Sequence, residues 1–361
     1  MKSVKVAHVS PLYFSDEGVI GGGERYALEL ARAMSSYTPT KLVTFGKRRQ
    51  SVREGDLRIE IYPVWFYFGG KNVNPISLAF LRELVDADVI HLHQYQIALS
   101  DICVLFARAF RKAIFATDHG GGGRNYAHRL KTGEHVTGFL FVSRHSASEY
   151  PQFAHKTRIV YGGYNTAMFY PRAVPREKRA IFTGRLIPFK GINYLVEGID
   201  ADIELHLIGR PYHPRYLEML KKLAEGKRVS FRTALTQEEL AVEYSSAMVN
   251  VLPSVHTDVY GTYYRKSEIM GLVLLEAMAC GTPVLVTRVG GMPEFVPEGE
   301  VGFIVPPNDP RALGERIRFM RDNPDLVERM GKAAREHVLA NFTWDRVAKS
   351  CLQAYRELSG R

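Results

Sequence analysis

The sequence predicts two doubly wound α/β domains in tandem, each Rossmann-like. Three observations carry that prediction. Short β-rich runs alternate with helical ones through both halves, the alternation breaks at a polar, proline-bearing stretch near the middle, and 361 residues exceed one ordinary core while suiting two of roughly 150–200 residues each. The expected boundaries are 1–165 for a first domain, 166–340 for a second, and 341–361 for a C-terminal helix that packs back toward the first.

In the first half, Val4 to Val9 (VKVAHV) reads as a strand, and the loop GVIGGG leads into ERYALELARAMSS, whose apolar positions recur at helical spacing. Strands follow at Lys41–Phe45, Ala87–His93, Lys112–His119, Gly138–Ser143 and Thr157–Gly163, with helical segments between most of them. Such alternation implies a parallel sheet covered on both faces. The stretch Tyr164 to Lys178 reads as a linker. The pattern then restarts with RAIFTGR, IELHLIGR, RVSFR, MVNVLPS, the SEIMG helix, PVLVTR and GFIVPP. The final NFTWDRVAKSCLQAYREL is an amphipathic helix with Trp344, Val347, Cys351 and Tyr355 near one face. No short-period repeat is present, which excludes a solenoid.

Composition narrows the class. Hydrophobic residues make up 46% and charged residues 24%, as in a globular protein rather than a disordered one. No run approaches the roughly 20 apolar residues that span a bilayer, and MKSVKVAHVSP enters a strand directly, so a cytoplasmic location is expected. Cys103, Cys280 and Cys351 are too scattered for a disulfide framework or zinc knuckle and read as packing residues. The formal charge is +10, and residues 1–165 hold 21 lysines and arginines against 14 acids. The excess, in KRRQSVR (Lys47–Arg53) and in Arg108, Arg111, Lys112, Arg124, Arg129 and Lys131, fits a solvated basic surface or attraction to an anionic partner, a membrane leaflet or a phosphorylated acceptor. Nucleic acid ranks below these, since no reading motif with interleaved aromatics accompanies the charge.

Ligands of open parallel sheets bind beyond the carboxyl ends of strands, so the loops there are the place to look, and two such domains facing each other make a cleft. After the first strand stand Gly21, Gly22 and Gly23, which let backbone N–H groups approach a ligand; the spacing is not the dinucleotide fingerprint, which counts against NAD. After a later strand, TDHGGGG presents Asp118 and His119, where the histidine can donate to a substrate oxygen or simply bond the glycine loop. His91 and His93 share a face of their strand and read as hydrogen-bonded core histidines, a metal site needing a third ligand that the sequence does not place. Arg185 follows strand and glycine in FTGRLIPFKG, with Lys190 five residues on, a fork and a point charge suited to a diphosphate. In SEIMGLVLLEAMACGTP, Glu268 lies at the approach to a helix beginning near Gly271, and Glu276 inside it. Eight wholly helical residues would separate them by about 12 Å, the reach from the hexose to the ribose of a nucleotide sugar, with free N–H groups at the helix start between.

These motifs resemble those of the GT-B retaining glycosyltransferases of family 4: G-R-x₄-K-G at Gly184–Gly191 and E-I-M-G-L-V-L-L-E-A-M-A-C-G-T-P-V at Glu268–Val284, with echoes in GGGE, DHG at Asp118–Gly120, VLPS at Val251–Ser254 and VPPNDPRAL at Val305–Leu313. The resemblance runs over most of the chain. It implies that Glu268 holds the transferred hexose and Glu276 the ribose, that Arg185 and Lys190 bind the diphosphate with the amides of Gly271 and Leu272, and that Gly22, Gly23 and His119 line the sugar and acceptor side. Glu268 and His119 are the residues it places at the reacting sugar. It further implies a nucleotide-sugar donor (UDP or GDP), retention, no metal or other cofactor, and a glycan, lipid-linked or small-molecule acceptor. Met270 replaces a common aromatic and alters the nucleotide pocket, the usual N-G-V-D is replaced by Gly162, Gly163, Tyr164 and Asn165, and the long loop Val255–Ser267 is expected to contact donor or acceptor. Asp86 and Asp88 mimic a metal-binding D-x-D but precede their strand, at the wrong end for a site. A GT-B 2-epimerase and a non-catalytic sugar-nucleotide binder share this grip, although no convincing set of bases for epimerisation accompanies TDHGGGG.

Overall fold

The computed structural model describes residues 4–12, 22–70, 74–120, 130–233 and 235–360. Gly21, Gly121–Gly123, Arg124 and Arg129 therefore lie outside the described residues. The chain divides into two compact units, Met1–Gly162 together with Trp344–Arg361, and Gly163–Thr343.

The first unit is built on strands β1 (Val6–Val9), β2 (Thr40–Gly46), β3 (Gln50–Glu54), β4 (Leu57–Pro63), β5 (Phe66–Tyr67), β6 (Pro75–Ile76), β7 (Val89–His93), β8 (Ala113–Thr117), β9 (Gly138–Phe141) and β10 (Thr157–Ile159). Eight of them form one sheet in the order β10-β9-β8-β7-β1-β2-β4-β3, parallel except for the antiparallel β3–β4 pair. Strands β1, β7, β8 and β9 are buried at every position, as a sheet covered on both faces requires. Among the described residues, its helices include α1 (Gly22–Ser35), α2 (Ala98–Ala109), α3 (Thr132–His135) and α4 (Arg144–Ser148). Chain order reverses at β1, whose neighbours are β7 and β2, and this is the switch point where strand-end loops diverge.

The second unit carries β11 (Arg179–Thr183), α5 (Ile192–Gly198), β12 (Glu204–Ile208), α6 (Pro214–Leu223), β13 (Val229–Arg232), α7 (Gln237–Ser246), β14 (Val249–Leu252), α8 (Leu272–Ala279), β15 (Val284–Thr287), β16 (Gly302–Val305), α9 (Pro310–Asp322) and α10 (Pro324–Asn341). Its six strands are all parallel, in the order β13-β12-β11-β14-β15-β16, with the switch point between β11 and β14. The last helix, α11 (Trp344–Ser359), belongs to the first unit, where Trp344 meets Tyr26 of α1 edge-on at 5.1 Å and the Tyr355 hydroxyl lies 2.7 Å from His91 Nδ1. Cys103, Cys280 and Cys351 are all buried and free.

Two segments differ from the sequence reading. The stretch Tyr164–Lys178 is packed on the second unit instead of crossing solvent. Tyr164 and Phe169 are buried, Tyr164 N donates to Phe342 O, and the Arg176 guanidinium donates to the carbonyls of Ala247 and Gly281. Two buried aromatics outweigh the local polarity. The basic run Lys47–Arg53 enters the edge strand β3, and Arg49 is committed to the fully buried Glu60, which Arg58 and Ser51 also bond. Burial alone would push the Glu60 carboxyl up, but hydrogen bonds from Ser51, Arg49 and Arg58 hold it below the usual range. Part of the basic excess is thus neutralised internally, and charge on an edge strand also blunts intermolecular pairing. Among the described residues no helix is long and apolar enough to cross a membrane.

Register explains a buried group of histidines. His8 on β1 lies opposite His91 on β7, and His93 follows two residues on along the same face. Burial pulls His8 from its ordinary value of 6.5 down to about 3, and pulls His91 and His93 well below theirs. The unfolded chain therefore takes up protons on acidification that the fold refuses, so this stability is complete above pH 6.5 and declines as pH falls toward the folded values. Each such histidine costs about 1.4 kcal/mol per pH unit in that window. Urea unfolding at a series of pH values should show stability falling from about pH 6.5 to 5, before carboxylates titrate; a flat profile contradicts the burial of these rings.

Candidate active site

In the second unit, the loops after β11, β14 and β15 meet around one carboxylate. The loop after β11 opens with Gly184 (φ 146°) and Arg185, and a side chain on Gly209, after β12, would stand 1.8 Å from the Gly184 carbonyl. A 3₁₀ turn, Pro188–Lys190, then ends in Gly191 (φ 64°), where a Cβ would fall 2.0 Å from the carbonyl of Pro253 after β14. Only glycine allows these backbones to close on one another.

That closure carries Lys190 to Glu268. The ammonium pairs with Glu268 Oε2, and both side chains are nearly buried, 12% and 10% exposed. Ser254, after β14, donates to the same oxygen at 3.3 Å. The main chain of Glu268 is fixed from β15: Gly291 N donates to Glu268 O at 3.0 Å, and a Cβ on Gly290 (φ 58°) would lie 1.6 Å from that oxygen. Arg185 leaves the same loop as Lys190 but is exposed, with no side-chain partner among the described residues. The structure thus joins Lys190 to the acid that the sequence reading put on the hexose, and leaves Arg185 as the outward cation.

Helix α8 begins at Leu272, with Gly271 (φ 86°) as its left-handed N-cap and no side chain capping it. Glu268 is outside the helix, so helical rise applies only from Leu272 to Glu276, about 6 Å, and not over all eight residues. Met270 is buried. Glu276 is 1% exposed and accepts from the Tyr244 hydroxyl at 3.4 Å, which in turn shares a 2.9 Å hydrogen bond with Thr183 Oγ1. The two glutamates accordingly differ: one is held by a cation, the other accepts from a tyrosine hydroxyl that the sequence does not reveal.

The loop Val255–Ser267 is built, with Asp258 Oδ1 accepting from the amides of Tyr260 (2.9 Å) and Thr262 (3.0 Å) and Gly261 (φ 80°) following. Tyr264 packs on Phe189, the neighbour of Lys190, at 4.8 Å, and Tyr260 stacks on His213 at 5.4 Å. Tyr263 and Arg265 remain exposed.

In the first unit, His119 follows β8 and lies parallel to His93 at 5.7 Å, with His93 Nδ1 and His119 Nε2 3.4 Å apart. Tyr26 covers it at 4.8 Å, and a Cβ on Gly23 would stand 2.9 Å from His119 Cβ, so bare backbone at the start of α1 makes room for the ring. Gly22, beside it, is exposed. Burial brings His119 down to about 4 against an upward pull from Asp118. Asp118 is buried and accepts from Gln94 Nε2 at 3.1 Å and from the Tyr150 hydroxyl at 2.5 Å. Gln94, a non-glycine at φ 145°, is a strained position that no sequence signal marked.

One ring nitrogen from each of His8, His91 and His93 lies within 4.8 Å of the others, and His8 is the third histidine that sequence could not place. They are spent on each other and on neighbours: His8 Nδ1 meets His93 Nε2 at 2.9 Å, and His91 bonds Thr117 (2.8 Å) and Tyr355. Asp86 bonds Lys41 at 2.9 Å and Asp88 accepts from Lys5 N, both at the opposite end of β7 from His93.

Residues 20–168 match the family model described as Glycosyltransferase Family 4, and residues 166–337 that described as Glycosyl transferases group 1, so the matches adjoin and take in most of the chain. The D-inositol 3-phosphate glycosyltransferase of Corynebacterium efficiens is 31% identical over 225 residues, covering 55% of this chain and 50% of that one; the chain spans about half the length of such curated relatives. Among solved structures, sucrose-phosphate synthase from Thermosynechococcus elongatus is similar at a TM-score of 0.74 over 99% of both chains with 24% identity. Anabaena HepE in complex with UDP reaches 0.77 over 98% of this chain and 100% of that one with 15% identity. Both likenesses are of fold.

Gly290→Ala places a methyl group into the Glu268 carbonyl at a positive φ. We expect a loss of about 1–3 kcal/mol, measured by urea unfolding; an unchanged stability would show that the Glu268 backbone is not held from β15.

Proposed function

The chain belongs to the GT-B glycosyltransferases of family 4, and we propose that it moves a hexose from a UDP- or GDP-linked sugar to an acceptor hydroxyl, with retention at the anomeric carbon and without a metal ion. The observation that carries this reading is Glu268, an almost buried carboxylate steadied by Lys190 and Ser254 at the switch point of a parallel sheet, one turn before an uncapped helix start. A carboxylate so placed accepts hydroxyl protons from a sugar diol.

In this mechanism the amides at Gly271 and Leu272 and the outward guanidinium of Arg185 take the diphosphate, and Lys190 lies where sugar and diphosphate join. Glu276 takes the ribose. The anomeric C–O bond to the diphosphate breaks as the acceptor oxygen attacks from the same face, and the acceptor proton passes to the departing phosphate oxygen. Cations around the leaving group lower the barrier by stabilising the developing charge. In the first unit, Gly22, Gly23 and His119 line the acceptor side. UDP in the HepE complex supports a uridine donor. The relative named for D-inositol 3-phosphate, with the basic first half, supports a phosphorylated acceptor, and a lipid-linked one at the inner membrane face fits the same charge.

Incubation with labelled UDP- and GDP-hexoses and a panel of phosphorylated acceptors should give transfer, unaffected by EDTA; epimerised donor, or binding without turnover, would assign the fold another activity. Glu268→Gln should lower kcat by about 10²–10³-fold with the fold intact. Lys190→Ala should weaken even the bare nucleoside diphosphate by about tenfold or more. Full activity in both variants would refute this site.

A further inference from the structure

The first unit contains a row of hydrogen-bonded imidazoles that ends at His119 and begins at a thioether. His8 Nε2 lies 3.3 Å from Met34 Sδ, His8 Nδ1 lies 2.9 Å from His93 Nε2, and His93 Nδ1 lies 3.4 Å from His119 Nε2. Met34, His8 and His93 are buried. All three imidazoles are neutral near pH 7, because burial takes each well below its ordinary value. A neutral imidazole has one N–H and one lone pair, so fixing the direction of any bond in the row fixes the rest.

A thioether has no proton to give, so the bond at Met34 runs one way, from His8 Nε2–H to sulfur. His8 Nδ1 is then the acceptor, His93 Nε2–H the donor to it, His93 Nδ1 the next acceptor, and His119 Nε2–H the last donor. The reverse order would face a buried imidazole lone pair toward sulfur lone pairs, which disfavours it by about tenfold or more. We infer that Met34, through His8 and His93, locks His119 in the Nε2–H tautomer, so that its Nδ1 presents a lone pair and accepts a hydrogen bond from a hydroxyl of the sugar or acceptor. This assignment rests on the proposed transferase reading for its substrate and reverses the donor role expected from sequence. His119 Nδ1 has no hydrogen-bond partner among the described residues. Met34, His8 and His93 are positioning residues, acting through His119.

The test is a ¹⁵N-edited imidazole spectrum of the intact protein at pH 7, with His119 assigned by difference from His119→Gln. Nε2–H signatures are expected at His8, His93 and His119; an Nδ1–H signature at His119 overturns the inference. Met34→Leu keeps the apolar bulk and removes the acceptor, so His119 should change to a mixture of tautomers while UDP affinity stays within about twofold, and kcat should fall several-fold in a transfer assay. An unaltered His119 spectrum in that variant also overturns it. Both spectral readings are made without substrate, so they stand apart from whether sugar transfer is the reaction.

Discussion

The second unit is organised around keeping one carboxylate in place. Glu268 sits on irregular backbone, where nothing in a helix or strand fixes it, and its orientation comes from Lys190, Ser254 and the amide of Gly291. Those three groups arrive from loops after three strands, two of which flank the switch point of the sheet. Lys190 and Ser254 meet at Oε2, and Gly291 N meets the main-chain carbonyl, because Gly191 and Gly290 carry no side chain where a Cβ would strike a carbonyl. Close-packed loops are thus the precondition for the charge pair, and the charge pair for the site.

The first unit solves a different problem, that of keeping polar rings inside an apolar sheet. Four histidines, two inside β1 and β7, one at the end of β7 and one just beyond β8, bond one another, Thr117, Tyr355 and a sulfur. Burial without charge is tolerated where both ring nitrogens of His8, His91 and His93 have partners, and the cost appears only as acidity sensitivity. The same arrangement gives His119 a defined direction of hydrogen bonding at a strand end, where a ligand of a parallel sheet belongs.

The two-domain α/β order was readable because each strand is a short apolar run bounded by glycine, proline or charge, and the twelve runs named from sequence are strands. The site motifs were readable for the same reason: Gly184, Arg185 and Lys190 follow a strand, and Glu268 precedes a helix start marked by Gly271. Contact between Lys190 and Glu268 was not, since 78 residues separate them and their meeting depends on loop approach. Nor was His8, which joins His91 only through the register of β1 on β7. The β3–β4 hairpin was hidden because its charged alternation reads as a basic run, its acid partner Glu60 standing on the next strand. Tyr164 and Phe169 made a packed strap of a segment whose prolines and charges read as a linker.

A crystal structure of this chain with a UDP- or GDP-hexose bound tests the account most directly. The hexose hydroxyls should lie within hydrogen-bond reach of Glu268, and the diphosphate at the amides of Gly271 and Leu272 beside Arg185 and Lys190. A sugar nucleotide seated away from the loops after β11 and β14, with Glu268 and Lys190 untouched by it, would contradict the central claim.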